Sequence, residues 1–302
     1  MKFLKKIPII LIVGPTAAGK SLVAEEIRAK NDGEIINADA TQVYRGLSIL
    51  SAAPRELAGT HLYCFREVSE LYSFAAYRVD ADQCIADVWR RGKLPIIVGG
   101  TGLYVDALIH RTTTPPVTSI KIREQVARLS PSQVLDELRS RDPEILEFLD
   151  LKNPRRVQRA LEVALQTGVS MRSFGVEREP TPYEPLWIGV TAQRDVLHTR
   201  IAARIDEMLG GGAIKEVQEL LREGHTHDEP GMKAIGVAEI SALLDGSISC
   251  DEARDRMITR TRQYARRQQT WFRKNSVIVW YNSSDDLCRL VRDFLQINFK
   301  VS

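Results

Sequence analysis

The sequence is poor in cysteine and contains no long apolar run. Its 302 residues include four cysteines, at positions 64, 84, 250 and 288, and no two of them form a C-x-x-C pair. This spacing argues against a zinc site and favours reduced thiols in a cytoplasmic protein. No apolar segment approaches the length of a bilayer span, so we expect no membrane partner. The net charge is only +3, which by itself does not predict a nucleic-acid partner.

The first apolar segment leads directly into a phosphate-binding loop. Lysines precede the apolar run Ile7–Val13, as in a signal peptide, but no small-residue cleavage site follows, so we expect a buried strand. The next eight residues match G-x-x-x-x-G-K-[ST]. The glycines let backbone amides converge on an anion, the lysine adds charge, and the serine hydroxyl can hold Mg²⁺. The predicted site for a di- or triphosphate therefore comprises Gly14, Pro15, Thr16, Ala17, Ala18, Gly19, Lys20 and Ser21.

Two further loops follow predicted strands. Glu34–Asn37 is a short strand followed by Asp39, and Leu94–Val98 is a buried strand followed by the turn Gly-Gly-Thr-Gly at 99–102. Ligands of open α/β sheets bind at the carboxyl ends of the strands, so we expect Asp39 near the phosphate loop. A nucleotide hydrolase would usually place a Mg²⁺-orienting aspartate after the second of these strands. The glycine turn with Thr101 in its place disfavours an ATPase or a helicase.

The second half of the chain changes character twice. From about Ile120 to Arg178 the pattern is wholly helical and charged, which predicts a helical insertion. Strand character returns at Leu186–Thr191, and helical spacing resumes after it. We predict a late strand at Val277–Trp280 and a closing helix at Leu287–Phe299.

A basic segment lies near the C-terminus. Between Arg254 and Lys274 there are eight basic residues and one acidic residue, interleaved with Tyr264, Trp271 and Phe272. Arginines at this density beside aromatic residues suit phosphate contacts and base stacking. A solvated basic helix is the alternative interpretation.

In order along the chain, these segments resemble the tRNA dimethylallyltransferase (tRNA isopentenyltransferase) family of the bacterial type. The basic segment is close to diagnostic, whereas the phosphate loop alone is not. The matching segments are GPTAAGKS at 14–21, NADATQVYRG at 37–46, YSFAAYRVDA at 72–81, LPIIVGGTGLY at 94–104, NPRRVQRALEV at 153–163, RIAARIDEML at 200–209, IGVAEI at 235–240 and TRQYARRQQTWFR at 261–273.

The resemblance implies transfer of a dimethylallyl group from dimethylallyl diphosphate to N6 of an adenosine. That adenosine lies at position 37, immediately 3′ of the anticodon, in tRNAs that read codons beginning with U. The implied fold is α/β, with a P-loop NTPase-like parallel sheet core flanked by helices and an all-helical insertion domain. We expect the core at 1–114 and 184–302, with the substrate channel, and the insertion at 115–183, in contact with tRNA. The expected cofactor is Mg²⁺, the expected partners are the tRNA anticodon stem-loop and dimethylallyl diphosphate, and the expected state is a cytoplasmic monomer.

The resemblance also assigns roles to individual residues. Asp39 would accept the N6 proton as general base, while Lys20 and Mg²⁺ at Ser21 would stabilise the departing diphosphate. Thr101 would lie near the diphosphate and the target nucleotide, and Arg204 would contact the diphosphate. The expected tRNA-binding residues are Asp39, Ala40, Thr41, Gln42, Thr101, Arg123, Gln158, Arg159, Ala160, Leu161, Glu162, Arg260, Arg262 and Arg267.

Four segments depart from the family pattern. Ala40 replaces a serine, Thr60-His61-Leu62 replaces His-His-Leu, the run at 49–54 lacks a lysine, and 235–239 lacks an aromatic residue and a cation. None of these departures replaces a residue of the phosphate loop, Asp39 or Thr101. We expect them to change RNA affinity or the choice of tRNA rather than the chemistry.

Three other functions fit parts of the sequence. A small-molecule kinase shares the strand, loop and helix, but does not explain the Gly-Gly-Thr-Gly turn or the basic segment. An RNA-binding protein that has lost activity would fit the substitutions at Ala40, Ala53 and Ala238. An enzyme that prenylates free adenine nucleotides would share the loop and Asp39, but would have little use for the arginines at 254–274.

Overall fold

The structure, a computed structural model, describes residues 6–175, 179–281 and 285–298. The chain divides into two compact units, a core formed by Met1–Ile109 with Pro182–Ser302 and an insertion formed by His110–Thr181. The boundaries expected from the sequence, 115 and 183, lie five and two residues further along the chain.

Within the described residues, six strands form one parallel sheet in the core. Their order across the sheet is β3-β2-β4-β1-β5-β6, and every neighbouring pair is parallel. The strands are β1 (Ile7–Val13), β2 (Gly33–Asn37), β3 (Thr60–His61), β4 (Leu94–Gly99), β5 (Tyr183–Val190) and β6 (Val279–Tyr281).

Helices flank this sheet and make up the insertion, and in the described part of the chain three short 3₁₀ turns accompany them. The helices are α1 (Lys20–Lys30), α2 (Ser48–Ser51), α3 (Phe74–Arg90), α4 (Gly102–His110), α5 (Ile120–Ala127), α6 (Pro131–Arg141), α7 (Pro154–Thr167), α8 (Arg194–Gly210), α9 (Ala213–Arg222), α10 (Val237–Leu244), α11 (Cys250–Phe272) and α12 (Asp285–Asn298).

The central strands are buried because helices cover both faces of the sheet. In β1, Ile9 and Leu11 point into the larger apolar cluster and Ile10 and Ile12 into the smaller one on the opposite face. A continuous apolar run of this kind is typical of a parallel sheet covered on both sides. The predicted fold class, an α/β core with a helical insertion, is confirmed.

The insertion has an apolar core of its own. Val126, Leu138, Val157 and Leu161 are buried in one cluster formed by α5, α6 and α7. Asn153 caps α7, because its side chain accepts a hydrogen bond from the Arg156 amide.

Several elements differ from the sequence prediction at their ends. β5 is Tyr183–Val190 rather than Leu186–Thr191, β2 begins at Gly33 rather than Glu34, and β4 ends at Gly99 rather than Val98. The late strand begins at Val279 rather than Val277, because the Val277 amide instead donates to the Asn275 side chain in a preceding turn. The closing helix is Asp285–Asn298, and Phe299 and Arg178 lie outside the described residues. No described helix combines the length and the apolarity needed to cross a bilayer.

Candidate active site

Three loops meet at the carboxyl edge of the sheet. β2, β4 and β1 are adjacent, so the Asp39 loop, the Gly-Gly-Thr-Gly turn and the phosphate loop emerge side by side. The predicted proximity of Asp39 to the phosphate loop is confirmed, because both line the same cavity. Parallel strands place their loops together in this way without any requirement for nearness in sequence.

The phosphate loop has the backbone that an anion cradle requires. Gly14 has a φ of +143°, and a Cβ there would lie 2.1 Å from the Val190 carbonyl oxygen. Gly19 has a φ of +99° and precedes the first turn of α1. Any larger residue at Gly14 would therefore push the loop away from β5, and the positive φ of Gly19 lets the chain turn into α1.

Two cations lie against the loop. The Lys20 ammonium donates to the Pro15 carbonyl at 2.8 Å, and burial lowers its pKa to about 8, with the Arg204 cation acting in the same direction and Asp39 opposing it. Burial also lowers the pKa of Arg204, which extends from α8 towards Thr16. Buried charges of like sign are costly in the absence of an anion, which makes this end of the cavity a site for a polyanion.

Asp39 is held in a defined orientation. The amide and hydroxyl of Thr41 both donate to Asp39 Oδ1, at 3.0 and 2.7 Å. On the other side of the turn, buried Asn37 accepts from the Asp39 amide and donates to its carbonyl oxygen. The two Thr41 contacts use Oδ1, and within the described residues Oδ2 accepts no hydrogen bond.

Thr101 holds the Asp39 loop against the sheet. Its hydroxyl accepts from the Ala40 amide at 2.9 Å, and its own amide donates to the Ala38 carbonyl at 3.1 Å. Thr101 is not among the described residues that line the cavity. The structure thus gives Thr101 a positioning contact, while its expected place beside the diphosphate stays a prediction.

The basic helix α11 packs directly on the phosphate loop and the glycine turn. Gln268, which is 4% exposed, accepts from the Thr16 amide at 2.8 Å and donates to the Gly100 carbonyl at 3.0 Å. Trp271 covers the turn, because a Cβ on Gly102 would lie 2.2 Å from its ring. The glycines of this turn therefore admit a helix at close range.

Sequence reasoning missed Gln268, and it named Tyr264 only as one of the aromatic residues that suit base stacking. Burial raises the pKa of Tyr264, the charge of Asp39 acts in the same direction, and hydrogen bonds with Thr101 and Gln268 oppose the shift. The available signal was the spacing of Tyr264, Gln268 and Trp271, which places them on one face of a helix.

One cavity of about 330 Å³ lies between the phosphate loop and the Asp39 loop. Its polar end is formed by the phosphate loop, Lys20, Ser21, Arg204 and Asp39. Part of the remaining wall is apolar and was not identified from the sequence, and it includes Leu50, Ile201, Ile205, Met208, Ala234, Ile235 and Met257. The other part is polar and includes the cations Lys233, Arg260 and Arg267. A phosphate pole beside an apolar wall suits an anionic head group joined to a small apolar chain.

The remaining predicted residues of the Asp39 loop have separate contacts. Thr41 and Gln42 line the cavity, and the Gln42 amide donates to the carbonyls of Ser51 and Ala52 at the end of α2. Ala40 packs against the larger apolar cluster. The missing serine hydroxyl therefore leaves an apolar contact at this position.

The arginines of α11 do not act as one face. Arg260 and Arg267 line the cavity beside the phosphate loop, whereas Arg262 lines a different groove together with Arg266 and Arg273. Arg260 donates to Glu239, which is 5% exposed. In the part of the chain that the structure describes, Arg262 and Arg266 form no ion pair with a carboxylate. The expectation that Phe272 could stack on bases is wrong, because its side chain is buried in the core.

The predicted RNA-contacting residues of the insertion divide into half-buried and buried members. Ala160 and Leu161 are fully buried in the apolar core of the insertion, so the expectation that they contact RNA is wrong for their side chains. Arg159 pairs with Glu162 at 3.3 Å and donates to the Pro116 carbonyl. Gln158 on α7 and Arg123 on α5 are half-buried.

Comparison with known families identifies the chain. The family model described as IPP transferase matches residues 42–275, which is more than three quarters of the sequence. The chain belongs to the IPP transferase family. The match includes the Gly-Gly-Thr-Gly turn, the insertion and the basic helix, so family membership does not depend on the phosphate loop.

Similar members of the family have been given a common name. The chain is 40% identical to the tRNA dimethylallyltransferase of Geobacter sulfurreducens, over 91% of this chain and 92% of that protein. It is 39% identical to tRNA dimethylallyltransferase 2 of Geotalea uraniireducens, over 96% and 97%. These relatives confirm the resemblance derived from the sequence.

Solved structures of the family share the fold. The tRNA isopentenylpyrophosphate transferase of Bacillus halodurans has a TM-score of 0.70 at 34% identity, covering 98% of this chain and 97% of that one. A eukaryotic dimethylallyltransferase acting on tRNA has a TM-score of 0.79 at 27% identity, covering 92% and 74%. Both agree with the parallel sheet core predicted from the sequence.

The donor atoms at the phosphate loop suit one kind of Mg²⁺ site. Ser21 offers a hydroxyl at the first turn of α1, on the cavity wall. Among the described residues, no group of three or more histidine, cysteine or acidic side chains is arranged to hold a metal. Mg²⁺ commonly takes one or two protein ligands and completes its shell with phosphate oxygens and water. The residues therefore fit a Mg²⁺ ion that arrives with a diphosphate.

Proposed function

We propose that this chain transfers the dimethylallyl group of dimethylallyl diphosphate to N6 of the adenosine immediately 3′ of the anticodon, position 37, in tRNAs that read U-initial codons. The products are N6-dimethylallyladenosine and diphosphate. The coarser activity, a prenyltransferase acting on tRNA, follows from membership of the IPP transferase family.

One observation carries the proposal: a carboxylate and a phosphate cradle face each other in a single cavity. Asp39 is close enough to Lys20 to raise its pKa against the larger effect of burial. An acceptor amine beside Asp39 would thus lie next to the carbon attached to the diphosphate. A simple RNA-binding protein does not require a general base at this position. A kinase can use one, but it does not require the apolar wall that lines this cavity beside the phosphate loop.

The proposed reaction forms one carbon–nitrogen bond, breaks one carbon–oxygen bond and transfers one proton. The lone pair of N6 attacks C1 of the dimethylallyl group, the C1–O bond breaks, and its electrons leave with the diphosphate. The N6 proton passes to the free oxygen of the Asp39 carboxylate. Adenine N6 is a weak nucleophile because its lone pair is delocalised into the ring, so a positioned base contributes a factor of about 10²–10⁴.

The chain's cations and amides stabilise the leaving group. Negative charge grows on the diphosphate as C1–O breaks, and the cations Lys20 and Arg204 line the end of the cavity where we place it. Such preorganised charge is often the largest single contribution to catalysis. Mg²⁺ held at Ser21 would add further positive charge to the diphosphate oxygens.

The acceptor must leave the anticodon stack to reach a cavity of this size. Enzymes that modify a base generally extrude it into a pocket. We place the extruded adenosine between Asp39, Thr41 and Gln42, with Arg267 at the cavity wall. The insertion, through Arg123, Gln158 and Arg159, and the outer arginines of α11 would hold the RNA, in a monomer acting in the cytoplasm.

Label transfer tests this function. The protein is incubated with labelled dimethylallyl diphosphate, Mg²⁺ and either bulk tRNA or adenosine monophosphate. We expect label in tRNA and none above background in the free nucleotide. Label in adenosine monophosphate alone would support a nucleotide prenyltransferase, and phosphate transfer from ATP to a small acceptor would support a kinase.

A further inference from the structure

Gln268 connects the helix that carries the basic residues with the loop that carries the phosphate cradle. Its carbonyl oxygen accepts from the Thr16 amide at 2.8 Å and its amide nitrogen donates to the Gly100 carbonyl at 3.0 Å. Both bonds are made by one side chain that is 4% exposed. No chemistry proposed above requires this residue.

The Gln268 side chain is closely packed against the glycine turn and Tyr264. A Cβ on Gly100 would lie 2.0 Å from Gln268 Nε2 and 3.4 Å from the Gly14 carbonyl oxygen. The Tyr264 hydroxyl is a further hydrogen-bonding neighbour of Gln268 and also contacts Thr101. Gln268 therefore touches, directly or through Tyr264, the phosphate loop, the glycine turn and the residue that supports the Asp39 loop.

We propose that Gln268 is a positioning residue that holds the phosphate loop in its diphosphate-binding shape and ties that shape to α11. The inference rests on the proposed function, because it assumes that the diphosphate of an allylic donor binds at residues 14–21. It adds that the glycine turn is short of side chains so that Gln268 can reach across it. The turn therefore serves α11 docking, where a nucleotide hydrolase would use the equivalent place for a carboxylate.

Loss of the Gln268 hydrogen bonds should weaken diphosphate binding more than RNA binding. Without Gln268 the part-buried Thr16 amide loses its acceptor and the buried Gly100 carbonyl loses its donor, and unpaired buried groups are costly. The loop then relaxes to satisfy them, and its amides no longer converge on the anion. The cations Lys20 and Arg204 stay, so binding weakens without being abolished. RNA contacts on the exposed side of α11 do not involve this bond.

The test compares Gln268→Leu with the wild type and with Gln83→Leu, a change at an exposed glutamine on α3. The affinity for dimethylallyl diphosphate with Mg²⁺ is measured by calorimetry without tRNA, and the affinity for tRNA is measured separately. We expect Gln268→Leu to raise the diphosphate Kd about tenfold, to leave the tRNA Kd within about twofold, and to raise the KM for the diphosphate. Gln83→Leu should change none of these.

A second variant approaches the same bond from the other side. Gly100→Ala places a methyl group where Gln268 Nε2 lies and should reproduce the tenfold effect with Gln268 intact. It also keeps the inference open to test if Gln268→Leu fails to fold. An unchanged diphosphate Kd in a folded variant, or an equal loss of diphosphate and tRNA affinity, overturns the inference and leaves the proposed function standing. A wild-type protein that binds no dimethylallyl diphosphate overturns both.

Discussion

The Arg260 guanidinium donates to the Glu239 carboxylate at 2.5 Å, and that carboxylate also accepts from the Gly236 amide at 3.0 Å. Glu239 is 5% exposed, whereas the Arg260 side chain is 44% exposed. Arg260 is therefore both part of the cavity wall and the charge partner of a buried acid at the start of α10. Substitution of Arg260 would therefore be a poor measure of RNA binding, because it would also remove the partner of buried Glu239.

Arg260→Ala should destabilise the protein. The change leaves the Glu239 carboxylate buried without its cation, and we expect the free energy of unfolding to fall by about 1–3 kcal/mol. Chemical denaturation measures this directly. Arg256→Ala is the matched control, because Arg256 pairs with exposed Glu252 one turn away and should change stability by less than about 0.5 kcal/mol. Equal, small effects at both positions would contradict the structural role of Arg260.

The outer arginines should be better reporters of RNA binding. Arg262 and Arg266 form no ion pair with a described carboxylate, so each is available to a phosphate. We expect the double change to alanine to raise the tRNA Kd and to lower the slope of log K against log salt by about 1.5, since each lost phosphate contact removes about 0.7–0.9. Arg254→Ala, which removes an arginine already paired with Asp206, should leave that slope unchanged. An unaltered slope in the double variant would remove this groove from the RNA surface.

Asp39→Asn should stop catalysis without removing the loop structure. Asparagine keeps an Oδ1 that can accept from the Thr41 amide and hydroxyl, so the turn survives, but it cannot accept the N6 proton. We expect turnover to fall by about 10²–10⁴ and tRNA affinity to stay near that of the wild type. Thr41→Val loses one of the two bonds and keeps the base, so its loss should be much smaller. Near-normal turnover in Asp39→Asn would show that another group accepts the proton.

Diphosphate affinity should decline above pH 8. Burial lowers the pKa of Lys20 to about 8 in the free protein, so Lys20 is charged below this pH and loses its charge as the pH rises through it. Dimethylallyl diphosphate favours the charged form, and we expect its Kd to rise by up to tenfold for each unit above pH 8. Calorimetry between pH 7 and 9.5 measures the midpoint.

Two variants isolate the contribution of Lys20 to this profile. Lys20→Arg should flatten it, because a guanidinium stays protonated throughout that range. Asp39→Asn removes a charge that raises the pKa of Lys20 and should move the midpoint to lower pH. A profile in Lys20→Arg that matches the wild type would assign the pH dependence to another group.

The same shift makes the stability of the free protein depend on pH. An unfolded lysine keeps its proton to about pH 10.4, so between pH 8 and 10 the unfolded state binds more protons than the folded state. Stability contributed by Lys20 therefore rises with pH across this window. Ligand affinity and stability thus change in opposite directions, which separates an effect on Lys20 from general alkaline unfolding.

Local patterns in the sequence were sufficient to predict five of the six described strands, the phosphate loop and the position of Asp39, whereas the two-residue strand β3 was not predicted. An apolar run followed by glycines predicts a strand and a turn whatever lies elsewhere in the chain, and parallel order then brings Asp39 to Lys20. The bonds of Gln268 could not be predicted in this way, because they join residues 252 and 168 positions apart. The pairing of Arg260 with Glu239 depends similarly on how α10 and α11 pack. Ala160 and Leu161 are buried because they lie on the face of α7 that packs into the apolar core of the insertion. Matching a motif does not take the faces of a helix into account.

Mapping the modified nucleoside tests the central claim most directly. A single tRNA that reads a U-initial codon is incubated with the protein, labelled dimethylallyl diphosphate and Mg²⁺, digested with a sequence-specific nuclease and analysed by mass spectrometry. We predict one added five-carbon unit on the adenosine immediately 3′ of the anticodon. No such unit should be found on a tRNA with guanosine at that position, nor with the Asp39→Asn variant over the same incubation. Label at another nucleotide, or no label in a tRNA that the protein binds, would contradict it.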